Sequence, residues 1–153
     1  MKYLCLIYHD EQKLDALSQA QMDALVRACV GWVEDLEKSG HHVLSAGLQS
    51  PATATTVRHE NGKALVTDGP FVESKEVLGG FTLIEARDLN EAIQLASKFP
   101  DAHPGSILVR PVLDPDADLS TPLDRRIGTA FRRSASGIDP SALSRIASIP
   151  QSS

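Results

Sequence analysis

Residues 2–8, KYLCLIY, are apolar on both alternating parities: Tyr3, Cys5 and Ile7 on one, Leu4, Leu6 and Tyr8 on the other. A strand shows one parity to each face of its sheet, so this segment predicts a strand covered on both sides. That demand constrains what the rest of the chain must do. One face needs helices, and the other needs a cover as well.

The helices are legible. Ser18 and Gln21 stand at capping-box spacing. Met22, Leu25, Val26, Cys29, Trp32, Val33 and Leu36 then recur at helical intervals, and Gly40 supplies a stop. HVLSAGL (42–48) reads as a second strand. TATTVR (53–58) and KALVT (63–67) flank Asn61-Gly62, a two-residue hairpin signal. FTLIEA (81–86) is another strand. Asp88 and Glu91 begin a second helix that packs with Leu89, Ala92, Ile93, Ala96 and Phe99 until Pro100 ends it. SILVRPV (106–112) closes the series.

The order is β-α-β, a hairpin, then β-α-β. This predicts an α+β fold of the ferredoxin-like kind, an antiparallel sheet with two helices on one face and an inserted hairpin. The other face is then bare and apolar, which is unusual in a monomer. A homodimer with its two sheets face to face is the expected cover.

A chain of 153 residues suits one domain with an appendage. The domain is placed at 1–113. Residues 114–153 read as a linker (DPDADLSTP) and a helical extension carrying Leu123, Ile127, Ala130 and Phe131, with Asp139-Pro140 starting a second helix. The extension either packs on the domain or its mate, stays disordered, or docks another protein. A net charge of -5 speaks against binding nucleic acid through phosphates. No apolar run reaches the roughly 18 residues of a membrane helix. MKYLCLIYHDEQ is too short an apolar start for a signal peptide and lacks a cleavage site. Cys5 and Cys29 fall within apolar patterns, as buried reduced thiols do, and a cytoplasmic protein is expected.

TDGPFVESKEVLGGF (67–81), followed by EARDLNEAIQLASKFP and a closing VRPV, resembles the YCII-related family, in the branch named after its Asp-Gly-Pro-Phe motif. Here that motif is Asp68-Gly69-Pro70-Phe71, and the likeness covers roughly residues 1–112. The resemblance implies a small bacterial protein with a dimeric ferredoxin-like α/β-barrel fold. Its members are largely uncharacterised, and some are encoded beside or fused to alternative sigma factors. The better-known branch carries a histidine on the first helix and an aspartate before a proline after the second. Those positions fall here near Val30-Gly31 and at Phe99, so that dyad is not carried over.

Other residues must then serve any site. If Leu44, Ala46 and Leu48 lie under the helices, His41 and Ser45 face the dimer cleft. His41, with His42 able to exchange places with it, is a candidate acid–base group because an imidazole titrates near neutrality. Asp68 either orients His41 or fixes its own turn. Glu73, Lys75 and Glu76 either rim the cleft or are solvated loop charges. Arg110 either grips a ligand carboxylate or lies on the surface. Phe71 and Leu78 are expected to anchor the loop on apolar surface. His9-Asp10 stands at the cleft mouth, and His59 and His103 are expected to be exposed in turns. No cofactor or metal is called for: the loop acids fit no calcium motif, and Gly79-Gly80 lacks the rest of a phosphate-binding fingerprint. The expected function is binding of a small polar or aromatic metabolite in a dimer cleft, with His41 and Asp68 as catalytic pair. The rival is a non-catalytic dimeric accessory or sensor tied to transcription, docking through 114–153. The residues do not decide whether the protein is an enzyme.

Overall fold

The strand that is apolar on both parities lies inside its sheet. In the computed structural model, whose described residues are 1–114, 121–125 and 127, four strands run in the order β2-β5-β1-β6. These are β1 (Lys2–His9), β2 (His42–Gly47), β5 (Val77–Glu85) and β6 (Gly105–Pro111). Every pairing is antiparallel. β3 (Thr55–Glu60) and β4 (Lys63–Asp68) form a separate hairpin. The helices are α1 (Glu11–Asp15), α2 (Gln19–Lys38) and α3 (Leu89–Ala96). The fold is a mixed α+β one built on antiparallel sheets.

Local chemistry sets the boundaries. Ser18 and Gln21 make the expected capping box at the start of α2. Asp88 caps α3 by accepting from the Glu91 N–H, and that bond, with Arg87 beside it, holds its carboxyl below the ordinary range. Gly40 leaves α2 at φ +75°, and the His41 N–H returns to the Leu36 carbonyl at 2.9 Å. Asn61 and Gly62 both take positive φ, as a tight primed hairpin turn requires. α1 is an unanticipated element: Asp10, itself buried, accepts from the Lys13 N–H and starts it.

Register places the residues in rows across the sheet. Ser45–Thr82–Cys5–Val109 is one row, with Ile84–Tyr3 beside it. Tyr3, Cys5 and Ile84 join Trp32 and Leu36 of α2 and Ala92, Leu95 and Ala96 of α3 in the core, so both long helices cover this face. Burial pushes the Cys5 thiol up to about 11 and raises that of Cys29 as well, and both cysteines are free. The opposite face carries the rows Leu44–Leu83–Leu4–Arg110 and Ala46–Phe81–Leu6–Leu108.

One expectation about β2 is reversed. The register of β2 on β5 slips between His42 and Leu44, so Val43 is an extra residue. His42 and Ser45 consequently share the helix face, while Leu44 and Ala46 take the open one. Simple alternation puts Leu44 and Ala46 under the helices beside His42, and Ser45 on the open face.

The chain divides into two units, Met1–Pro111 and Val112–Ser153. In the second, the Thr121 hydroxyl accepts from the Asp124 N–H at 3.0 Å and starts a helical turn at Pro122. The expected positions Ala130 and Phe131, and the helix at Asp139-Pro140, lie outside the described residues.

Candidate functional site

His9 ends β1 beside a second irregularity. Ile7 pairs with Gly80 and Tyr8 with Leu78, which leaves Gly79 as a bulge in β5. A Cβ at Gly79 would overlap the His9 ring, so glycine here is what lets the imidazole lie flat on the strand. The ring's neighbour is His103, whose centroid is 6.0 Å away. His103 meets Phe99 edge to face at 5.0 Å, and Phe99 meets Trp32 in the same way at 5.0 Å. Trp32 is anchored in the core by its indole N–H, which donates to the Leu95 carbonyl at 2.9 Å. A line of rings thus runs from the core to the end of the sheet.

His103 was expected to be exposed; it is half-buried. Burial, reinforced by the charge of His9, lowers its pKa, while its own backbone hydrogen bond and Glu76 oppose the shift. Near neutrality it is an uncharged imidazole, able to accept a proton. Ile93, Ala96, Phe99, Ile107 and Val109 line a cavity of about 530 Å³ that His103 borders. This cavity lies on the helix side, between α3 and β6, not on the open sheet face.

The charged loop reaches this end of the sheet. Glu76 accepts from the Ser106 hydroxyl at 3.3 Å. Ser74 and Lys75 face Asp10, Glu11 and Gln12 across a cavity of about 330 Å³. The Asp10 N–H donates to the Pro104 carbonyl at 2.9 Å, tying the start of α1 to the His103 turn.

The remaining sequence candidates are dispersed. His41 donates from Nδ1 to the Glu85 carbonyl at 2.8 Å, at the far end of β5. Asp68 ends β4 and pairs with Thr55 at the start of β3. Among the described residues no hydrogen bond or ion pair joins His41 to Asp68. Asp68 is exposed and precedes Gly69, whose φ of +91° makes the bend. Glu73 is exposed, and Arg110 is exposed on the open face. Phe71 is 68% exposed and lies 4.5 Å beneath the Arg58 guanidinium, so it does not anchor the loop on apolar surface as expected.

Ser45 does not face a cleft on the open side. Its hydroxyl donates to buried Thr82 at 2.9 Å, and His42 Nε2 lies 2.9 Å from the same oxygen. Among the described residues no three His, Cys, Asp or Glu side chains are arranged to hold a metal ion, and no helix is long and apolar enough to cross a membrane.

His103 carried no local mark. It touches Phe99, four residues before it, but the contact that distinguishes it from a surface turn histidine is with His9, which is distant in sequence.

The sequence has known relatives. The model of the YCII-related domain matches residues 1–116. An uncharacterized protein of Rhizobium meliloti (strain 1021) is 36% identical over 114 residues, which cover 73% of this chain and 92% of the relative. The chain belongs to the YCII-related family.

Proposed function

We propose that this YCII-related protein binds a small polar or aromatic metabolite at the end of the sheet where His9 and His103 meet. The observation that carries the reading is the placement of His103. It sits half-buried between Phe99 and His9 and borders the 530 Å³ cavity, with the mixed-charge loop nearby. Phe99 and the imidazoles offer ring faces and edges to a planar ligand. Glu76, Lys75 and Ser106 offer polar contacts around it. In catalysis His103 would accept the proton, taking the part first expected of His41.

We infer further that the chain belongs to the Asp-Gly-Pro-Phe branch, on residues 68–71. The strand order β2-β5-β1-β6 supports a ferredoxin-like topology. The apolar rows of the open face favour a homodimer in which two sheets cover each other.

A thermal-shift screen with aromatic amines, aromatic acids and polar heterocycles tests the site. Each hit is followed by NMR of the histidine ring protons. The expected result is a compound that raises the Tm of the wild type, moves the His9 and His103 signals, and loses its effect in His103→Ala. Equal stabilisation of His103→Ala, or shifts confined to the open face, would place binding elsewhere.

A further inference from the structure

Glu37, His42 and Ser45 meet on the helix side of the sheet, away from the His9–His103 end. His42 Nε2 is 2.9 Å from Ser45 Oγ, and His42 Nδ1 is 3.7 Å from Glu37 Oε1. The arrangement has an origin in the chain. Gly40 turns out of α2, which ends with Glu37 close to the first residue of β2, and the Val43 bulge brings His42 and Ser45 to one face. Without that extra residue the hydroxyl and the imidazole would face opposite sides.

We propose that Ser45 is an activated nucleophile toward small acyl esters, with His42 as its base and Glu37 as a positioning residue.

The hydrogen-bond chain can run in two directions, because hydroxyl protons rotate. In one, Ser45 donates to Thr82. In the other, Thr82 donates to Ser45 and Ser45 donates to His42 Nε2. The Glu37 carboxylate favours the second, since it attracts the imidazole proton to Nδ1 and leaves Nε2 as an acceptor. Thr82 is buried and uncharged, and so is Ile84 opposite His42. Among the described residues Glu37 is the charged side chain that the structure sets against this imidazole. The side chain of His42 is 18% exposed and that of Glu37 58%, so the group opens to solvent from one side.

Space and donors are present for a small acyl group. A Cβ added at Gly47, two residues along the strand from Ser45, meets nothing within 4 Å. Among the described residues β2 is an edge strand of its sheet, so its outer backbone N–H groups have no strand partner there and are available to a developing oxyanion.

The reaction balances with water as co-reactant. Ser45 Oγ forms a bond to the carbonyl carbon of the ester, and its proton passes to His42 Nε2. Collapse of the tetrahedral species breaks the carbon–oxygen bond to the leaving alcohol, which takes that proton. Water then attacks the acyl-serine with His42 again as base, releasing the acid and restoring the hydroxyl.

The test incubates the full chain with p-nitrophenyl acetate and maps acetylation by peptide mass spectrometry. The expected result is an acetyl group on Ser45, formed roughly 100-fold more slowly in His42→Gln, the loss typical of a missing general base. Glu37→Gln, an exposed change that leaves the core untouched, should slow labelling about fivefold. Glu37→Asp, which keeps a carboxylate, should label Ser45 faster than Glu37→Gln does. Circular dichroism confirms folding of each variant. Wild-type protein acetylated only at lysines or its amino terminus would overturn the proposal. So would Ser45 labelling that proceeds at an unchanged rate in folded His42→Gln.

Discussion

Gly79→Ala is a direct test of how the end of the sheet is built. A methyl group there would overlap Cε1 and Nδ1 of His9, with Nε2 at 3.2 Å. Gly79 does not have a positive φ, so alanine adds no backbone strain and the cost is steric. Overpacking costs about 1–3 kcal/mol. The atoms in the way belong to a side chain that can rotate, which favours the lower part of that range. A loss of about 1 kcal/mol corresponds to a Tm drop of about 4 °C in a chain of this size. With His9→Ala already in place the methyl has room, and Gly79→Ala becomes neutral or gains about 0.4–1 kcal/mol through the unfolded chain. Urea melts of the four proteins in this cycle should therefore give a coupling of about 1–3 kcal/mol. A second readout is independent of stability. Displacing the His9 ring takes away the charge that helps hold the His103 pKa down, so the NMR titration midpoint of His103 should rise. Gly79→Ala costing the same in both backgrounds, with an unmoved His103 midpoint, would refute the placement of His9 on the bulge.

Gly105→Ala should be worse, because the added methyl would overlap the Tyr8 carbonyl and lie 2.7 Å from the His9 Cα. Backbone cannot rotate aside, and a loss above about 3 kcal/mol in urea is expected; a change under about 1 kcal/mol would contradict the β1–β6 register. Trp32→Phe removes the donor to the Leu95 carbonyl in the core and should cost about 1–3 kcal/mol beyond the lost volume. The folded-state pKa of His103 is depressed, so as pH falls the unfolded chain takes up that proton first. The associated stability is complete above about pH 6.5 and is lost as pH falls through the folded-state value. Urea melts at about pH 7.5 and about pH 5.5 should show a smaller acid-side loss in His103→Gln than in wild type. Leu83→Glu, in the middle of the open face, should yield monomers in sedimentation analysis, whereas a wild type already monomeric would remove the case for pairing through that face.

Much of the fold could be read because its signals are local. The capping pairs Ser18–Gln21 and Asp88–Glu91, the Asn61-Gly62 turn and the two-sided apolar pattern of β1 each involve residues near one another in sequence. The site was harder for a matching reason. The His9–His103 pair and the His42–Ser45 contact depend on single-residue bulges, at Gly79 and at Val43, and a bulge shifts facing without altering hydrophobic periodicity. The Gly79-Gly80 pair was a partial signal, since glycine inside a strand often marks a bulge or close approach. Val43 carries no such mark; a β-branched residue is ordinary in any strand. One unmarked residue was enough to move Ser45 from the expected open face to the helix face and into contact with His42. It also explains why His41 and His42 do not exchange roles. His41 lies before β2 and bonds to the end of β5, while His42 enters the sheet beneath α2. The choice between the two histidines is therefore made by where the strand begins and where it bulges, which pairing with β5 decides and β2's own residues do not.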